Sequence, residues 1–342
     1  MPLILTPSSS PSIQRISDHS PLKVIRERDA KQADIRPLRI GLMNNMPDAA
    51  LRATEEQFLR LIWSEPTLQI IPVLFTAPSI PRDLLAKKHI GQYYSSLDTI
   101  REENLDGLII SGANFWNDPI HRLPFWHELT EVIDWAEKNV ASTLTSCLAT
   151  HAVMKYKFNI ARTLNTENGQ PKKIWWVFEH SVEDQHHPLV SDMNSEILVP
   201  HSRWNDISRE DFERTEHKIL MANRAIWVHL AVSRNFQWVM LQWHPEYDTV
   251  SLAREYLRDK KLWLAHEPVN YMNDALRSLD PGQNYKNPQI EKLGEIKNNW
   301  RDSAHVLVAR WISLVYKLTN FDIQKQYMDG INPNDPLHSI RQ

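Results

Sequence analysis

The single cysteine, Cys147, stands where a nucleophile is expected. It follows the segment VASTLTS at 140–146, which predicts a strand, and precedes 148–158, which predicts a helix. A side chain on a tight strand-to-helix turn is presented at the edge of a sheet, and the free N–H groups of the helix favour a thiolate. The amide of Leu148 is then a candidate donor to an oxyanion. A lone cysteine is also compatible with a small buried hydrophobe.

A histidine and an acid two positions apart, His244 and Glu246, form the second candidate group. Their side chains project to the same side if the chain is extended there, and Pro245 between them indicates the end of a strand. The histidine can accept a proton from a thiol while the acid orients its ring. The alternative interpretation is a capping segment before a helix predicted from residue 251. Both interpretations are compatible with one another.

The elements that must position these residues alternate between strand and helix. Strand-type runs lie within 36–46 and at 68–76, 105–114 and 140–146, and helical patterns lie at 55–63, 124–139 and 148–158. This alternation predicts an α/β protein with a parallel sheet covered on both faces. Sites in such sheets form at the carboxyl ends of the strands. The turn after residue 43, the Ser-Gly-Ala-Asn turn at 111–114 and Cys147 all fall there.

The second half of the sequence is less regular. It predicts a strand at 172–180, a hairpin about Arg234 and Asn235, and helices at 251–265 and 300–318, with a loop-like stretch at 270–299. The Ser/Pro-rich residues 1–22 predict a disordered arm rather than a signal peptide. The catalytic domain is expected over 23–268, and residues 269–342 are expected to form a helical extension packed on it.

Composition excludes several classes of protein. The chain has 342 residues, 42% of them hydrophobic, with 13 Trp, which suits one large domain or a core domain with an appendage. It has 8 Gly and no glycine-rich nucleotide motif, and its net charge of −3 gives no reason to expect nucleic acid. No run of eighteen apolar residues predicts a membrane helix, and no metal-ligand spacing predicts zinc. One cysteine fits a reducing compartment, so the cytoplasm is expected.

The serial order of the motifs resembles a known family. RPLRIGLMNNMP, TEEQFLRL, DGLIISGA, VASTLTSCLATHA, VPHSR, QWHPEYD, LAREYLRD and NNWRDSAHVLVARW occur in this order over about 22–325. The sequence resembles a divergent member of the homoserine O-acyltransferases of the MetA type, which comprise O-succinyltransferases and O-acetyltransferases. The resemblance implies a fold like that of class I glutamine amidotransferases, a homodimer, and an acyl-cysteine intermediate. It implies acyl-CoA as co-substrate and no other cofactor.

The resemblance also implies roles for particular residues. Cys147 would be the nucleophile, His244 the base and Glu246 its orienting partner, with the amides of Asn45 and Leu148 forming the oxyanion hole. Arg258 matches an arginine that binds the carboxylate of the amino acid. Ser202 and Arg203 match a family segment near the acceptor, and Lys173 matches a family lysine that is expected to bind substrate.

The sequence departs from the family pattern on the donor side. Asp48 and Ala49 stand where the family has two lysines, and Trp116 stands where Gly accompanies succinyl and Glu accompanies acetyl. A Trp leaves less room for a four-carbon acyl chain, and a buried carboxylate without a cation is costly. These features favour acetyl-CoA as the donor. Arg122, six residues beyond Trp116, is the alternative source of a cation for succinate.

Acyl transfer to the hydroxyl of homoserine, in methionine biosynthesis, is the predicted function. Serine differs by one methylene, which a pocket discriminates by only about 1–3 kcal/mol, so a serine acceptor stays open. A glutamine amidotransferase-like hydrolase is less favoured because Ser146 and Leu148, rather than glycines, flank Cys147. A non-catalytic binding protein is disfavoured because the candidate catalytic residues occur together with Arg258.

Overall fold

The computed structural model describes residues 3–18, 24–30, 36–63, 67–117, 119–223, 228–261, 298–322 and 324–340. The predicted helix end at 262–265 and most of the loop predicted at 270–299 lie outside these residues. The strands are β1 (Leu3–Leu5), β2 (Val24–Arg26), β3 (Leu38–Met43), β4 (Ile70–Phe75), β5 (Gly107–Ile110), β6 (Ser142–Ser146), β7 (Thr163–Leu164), β8 (Thr166–Glu167), β9 (Gln170–Pro171), β10 (Ile174–Val182), β11 (Glu196–Arg203), β12 (Asn205–Asp206), β13 (Lys218–Ala222), β14 (Val228–Val232) and β15 (Trp238–Leu241).

The helices lie mainly between the strands of the first half. They are α1 (Pro11–Asp18), α2 (Glu27–Ala30), α3 (Asp48–Ile62), α4 (Leu84–Tyr93), α5 (Leu97–Glu103), α6 (Trp126–Asn139), α7 (Leu148–Phe158), α8 (Arg209–Arg214), α9 (Ser251–Lys261) and α10 (Arg301–Leu318). Short 3-10 turns occur at Ile120–Arg122 and His338–Ile340. Within the described ranges, no helix is both long enough and apolar enough to cross a membrane.

The described strands form one eleven-stranded sheet in the order β11-β10-β13-β14-β15-β6-β5-β3-β4-β1-β2. Neighbours from β15 to β2 pair in parallel, and those from β11 to β15 pair antiparallel. The parallel sheet flanked by helices is confirmed, as is the hairpin about Arg234 and Asn235, which joins β14 to β15. The antiparallel strands extend the sheet beyond β6, so β15 becomes the direct neighbour of the strand that ends at Cys147.

Both faces of the parallel strands are buried. Along β5, Ile109 belongs to one core cluster, whereas Leu108 and Ile110 belong to the other, as strand alternation requires. Helices α3 and α10 cover the first face and helices α6 and α7 cover the second. On the first face, the Nε1 of Trp311 donates to the Oγ of Ser142 at 3.0 Å. Helix α10 is thereby fixed directly beneath the strand that carries the candidate nucleophile.

The N-terminal residues differ from the disordered arm predicted from the sequence. Strand β1 pairs with β4 and β2, and Ile13 and Ile16 of α1 are buried against the core. The Oγ of Ser10 also donates to the buried carboxylate of Glu55, which binds the Nε2 of His89 at 2.7 Å. The segment is rich in Ser and Pro, but it also contains a few apolar residues. These are enough to order it because the edge of the sheet can pair with β1.

Candidate active site

Cys147 lies on a strained turn between β6 and α7. Its backbone has φ 51° and ψ −111°, and a positive φ is unfavourable for a residue with a Cβ. The Cys147 amide donates to the carbonyl of Leu241 in β15 at 2.8 Å, which fixes the turn to the neighbouring strand. Leu148 is the first residue of α7, so its N–H has no acceptor within the helix. The turn therefore presents the thiol beside the positive end of a helix.

The histidine and acid reach the thiol because β15 lies next to β6. Leu241 pairs with Ser146, so the chain that continues past β15 passes beside the turn that follows β6. The Nδ1 of His244 lies 2.8 Å from the Oε1 of Glu246, and both side chains are buried. Tyr247 stacks on the His244 ring with centroids 4.3 Å apart and planes 15° apart. The imidazole is thus held in one orientation by an acid at its edge and a ring on its face.

The close approach at Gly112 shows that three chain segments meet at one point. A methyl group at Gly112 would lie 3.4 Å from the Cβ of Cys147 and 3.6 Å from the Cε1 of His244. The turn after β5 therefore packs directly against both the sulfur-bearing residue and its base. A side chain larger than that of glycine at this position would contact both residues.

The charge of His244 is set by its neighbours. Burial alone would lower the pKa of its imidazole, but the Glu246 carboxylate and the Cys147 sulfur raise the pKa of His244 well above its ordinary value. A hydrogen bond with Cys147 acts in the same direction. The raised pKa favours an imidazolium at His244 beside the Cys147 sulfur, which is a suitable arrangement for nucleophilic attack by cysteine.

A second charged cluster lies on α9 and the adjoining strands. The Nζ of Lys173 lies 2.7 Å from the Oδ2 of Asp259 and 3.5 Å from the Oε2 of Glu255. The Arg258 guanidinium contacts the Oδ1 of Asp259 through Nε at 2.8 Å and Nη2 at 2.7 Å. The Ser202 hydroxyl donates to Glu255. The structure therefore brings together three of the predicted substrate-binding residues: Lys173, Ser202 and Arg258.

Sequence reasoning missed Glu255. The Tyr247 hydroxyl donates to its Oε1 at 2.6 Å, which connects this cluster to the ring that stacks on His244. Burial opposes ionisation, but Lys173 and Arg258 nevertheless hold the pKa of the Glu255 carboxyl below its usual value. Its spacing of three residues from Arg258 on a predicted helix was a usable signal, because such residues share a helix face.

Ser202 and Arg203, both predicted to lie near the acceptor, are adjacent in β11 and have different contacts. The Ser202 hydroxyl contacts Glu255, whereas Arg203 donates from its Nη2 to the Oδ2 of Asp206 at 2.9 Å and contacts His201. Adjacent side chains of a strand point to opposite faces. A role for Arg203 at the acceptor stays a prediction.

The two predicted oxyanion donors differ in their surroundings. The amide of Asn45 donates to the Oγ of Ser111 at 2.9 Å, one residue before Gly112. An oxyanion bound by Asn45 would have to displace that hydroxyl. The amide of Leu148 lies at the start of α7, next to Cys147 in the chain. It has no acceptor within the helix that an oxyanion would have to displace. The role of Asn45 stays a prediction.

The donor-side departures have structural counterparts. Trp116 stacks on Trp204 with ring centroids 4.6 Å apart, and Trp204 was not singled out from the sequence. Asp48, which stands where the family has lysine, pairs with the Nη1 of Arg82 at 3.0 Å. The same guanidinium nitrogen donates to the carbonyl of Met46 at 2.6 Å. Arg82 thus places a cation at the turn from which the lysines are missing, while Arg122 is exposed.

Comparison with known proteins identifies similar sequences over nearly the whole chain. A sequence model of the homoserine O-succinyltransferase family matches residues 3–321. The homoserine O-succinyltransferase of Thiobacillus denitrificans is 42% identical over 98% of this chain and 99% of its own length. That of Methylococcus capsulatus is 41% identical with the same two coverages. That of Allochromatium vinosum is 43% identical over 90% of this chain and 91% of its own length.

A solved GMP synthase protein from Thermoplasma acidophilum is 14% identical, with a TM-score of 0.44, and the match covers 62% of this chain and 86% of that protein.

The sequence comparisons establish the class of protein. The match over nearly the whole chain identifies an enzyme that acylates homoserine, and the predicted resemblance is confirmed. The chain belongs to the homoserine O-succinyltransferase family. The names of these relatives point to a succinyl donor rather than to the acetyl donor that Trp116 favoured in the sequence analysis.

Proposed function

We propose that this protein transfers a succinyl group from succinyl-CoA to the hydroxyl of homoserine through an acyl-cysteine intermediate. The observation that carries the proposal is the meeting of Cys147, on its strained turn, with the His244–Glu246 pair at the glycine-bordered space beside Gly112. Family membership supplies homoserine as the acceptor, and the names of the relatives favour succinyl as the acyl group.

In the first half-reaction, the Cys147 sulfur attacks the carbonyl carbon of the donor thioester. A new S–C bond forms, and the carbonyl oxygen carries the negative charge towards the Leu148 amide and the start of α7. The C–S bond to coenzyme A then breaks. The leaving thiolate takes the proton held by His244, so the products are an acyl-cysteine, neutral imidazole and free coenzyme A.

In the second half-reaction, His244 acts as a base. The hydroxyl of homoserine loses its proton to the imidazole as its oxygen attacks the acyl-cysteine carbonyl. The C–S bond to Cys147 breaks, and the sulfur leaves as an anion beside the imidazolium. Glu246 keeps the Nδ1 of His244 engaged throughout, so the Nε2 is directed to the reacting groups.

The charged cluster on α9 suits the zwitterionic part of an amino acid. Arg258 offers a planar guanidinium to a carboxylate, and Glu255 offers an ionised carboxylate to an α-ammonium group. Asp259 holds Arg258 and Lys173 in place through the contacts described above. Because Tyr247 joins Glu255 to His244, a substrate bound at the cluster would place its hydroxyl towards the base.

The donor can be identified by mass spectrometry of the intact protein. Incubation with succinyl-CoA in the absence of homoserine should add the mass of one succinyl group, and homoserine should then remove it. A label obtained from acetyl-CoA but not from succinyl-CoA would overturn the proposed donor. Rapid release of the label by water alone would favour a hydrolase, and removal by serine as fast as by homoserine would overturn the acceptor.

Replacement of Arg258 tests the acceptor site. Arg258→Ala should raise the KM for homoserine about 10- to 100-fold, because a charge-assisted hydrogen bond to the carboxylate is lost. The rate of acyl-enzyme formation from succinyl-CoA should stay within about twofold. Steady-state kinetics and single-turnover labelling measure the two quantities separately.

Arg254→Ala is the matched control, because Arg254 lies one turn earlier on α9 and faces Asp248 at 3.9 Å. It should change neither quantity. If Arg258→Ala loses acyl-enzyme formation but keeps the wild-type KM for homoserine, Arg258 acts at the donor site or in maintaining the fold, and not at the acceptor site.

A further inference from the structure

The loop at 112–117 borders the space that a donor acyl group must enter. It begins at Gly112, which packs against both Cys147 and His244. An acyl group bonded to the Cys147 sulfur must therefore lie next to this loop. Trp116 is the largest side chain of the loop, and its ring would obstruct an extended acyl chain if it turned towards the thiol.

The Trp116 ring is not among the groups nearest to Gly112, where the loop meets Cys147 and His244. The three atoms nearest to a methyl position on Gly112 belong to Cys147, His244 and Ser146. The Trp116 ring instead stacks on Trp204 at 4.6 Å with the planes 24° apart, and both rings are half-buried.

The backbone of the loop is fixed around this stack. The Nδ2 of Asn205 donates to the carbonyl of Trp116 at 3.0 Å, and the Nη1 of Arg162 donates to the carbonyl of Phe115 at 2.8 Å. The loop is thus held at two successive residues by side chains from outside it. Its conformation depends on the segments that bear Arg162 and Asn205.

Trp204 is itself anchored. The amide of Asn165 donates to the Trp204 carbonyl at 2.8 Å, and β12, which begins at the next residue, pairs with β7. Two residues before Trp204, Ser202 contacts Glu255 at the acceptor cluster. Trp204 is therefore a fixed platform attached to the acceptor side of the site, and the stack ties the donor-side loop to it.

We propose that Trp204 is a specificity-determining residue, which holds the Trp116 ring out of the acyl path and so keeps room for a four-carbon donor. This inference rests on the proposed succinyl donor. It explains how a tryptophan can stand where succinyl enzymes are expected to have glycine. The large Trp116 side chain is present, but the stack on Trp204 keeps its ring away from the sulfur. An acetyl group is shorter and would be less sensitive to the position of this ring.

The test compares kcat/KM for succinyl-CoA and acetyl-CoA, with homoserine saturating, in four variants. Trp204→Ala should lower the succinyl-to-acetyl ratio about tenfold, the size expected when an aromatic stack that biases two ring positions is lost. Trp116→Gly alone should keep the wild-type ratio or raise it. The double variant Trp116→Gly/Trp204→Ala should recover the wild-type ratio, because no ring remains to enter the path. Trp126→Ala, which removes a half-buried ring that meets Tyr156 edge-on, should leave the ratio unchanged.

The recovery in the double variant separates specificity from simple damage to the fold. An unchanged ratio in Trp204→Ala, an equal loss with both donors, or a double variant no better than Trp204→Ala would each overturn the role of Trp204. If Trp204→Ala does not fold, Asn205→Ala replaces it, because it removes the hydrogen bond to the Trp116 carbonyl. Asn205→Ala should also lower the succinyl-to-acetyl ratio. An unchanged ratio in that variant would overturn the role of Trp204. A wild-type protein that loads no succinyl group would overturn the donor and this role together, whereas normal loading with an unaltered ratio would overturn this role alone.

Discussion

Cys147→Ala is expected to abolish acyl transfer, with a fall in kcat on the order of 10⁴-fold or more, because the atom that attacks the thioester is removed. The intact protein should no longer gain mass from succinyl-CoA. Alanine keeps a Cβ at the same positive φ, so the backbone strain of the turn is nearly unchanged. The melting temperature should therefore stay close to that of the wild type.

Two controls accompany this experiment. Binding of succinyl-CoA, measured by calorimetry, should persist in Cys147→Ala because the donor contacts other than the sulfur are intact. Cys147→Ser should keep the fold and lose most of the activity, since a hydroxyl is a far weaker nucleophile than a thiolate. Turnover at the wild-type rate in Cys147→Ala would show that the acyl group does not pass through this residue.

His244→Ala should lower the rate by about 10²- to 10⁴-fold, because it removes the proton acceptor of the second half-reaction. Glu246→Gln should cost less, since the imidazole remains and only its orientation and charge stabilisation are weakened. The two half-reactions are followed by single-turnover labelling with succinyl-CoA and by release of the label with homoserine. The exposed residue His186 provides the control, and His186→Ala should leave both rates unchanged.

The pH dependence of label release gives a separate test of Glu246. The step needs neutral His244, so its rate should rise as pH increases through the pKa of that imidazole. The Glu246 carboxylate raises this pKa, so Glu246→Gln should shift the rising limb to lower pH. A shift to higher pH, or a Glu246→Gln variant slower than His244→Ala at every pH, would contradict the assigned roles.

Local sequence patterns were sufficient for the parallel half of the fold. The predicted strands before residue 43 and before Cys147 correspond to β3 and β6, and the predicted helix 148–158 matches α7. Strand β3 could be predicted because burial on both sheet faces favours apolar runs, β6 because Thr is enriched in strands, and α7 because helices impose their own period. The strand-to-helix position of Cys147 and the spacing of His244 and Glu246 are equally local, so they could be recognised as one candidate site.

Only the tertiary structure decided which distant residues meet. Leu3 and Ile4 lie in a Ser/Pro-rich context, and their entry into the sheet depends on an edge formed by β4. Glu255 is an ordinary helix residue until Lys173, just before β10, and Ser202 of β11 are brought against it.

The ring position of Trp116 could not be read from the sequence for the same reason. Its volume could be read from the sequence, but the direction of its ring is set by Trp204, which comes from a different part of the chain. Sequence alone determined the chemistry available at the ends of the strands, because that depends on residue type and local period. The shape of the space around the sulfur depends on contacts between residues far apart in the chain, and these exist only once the sheet has assembled.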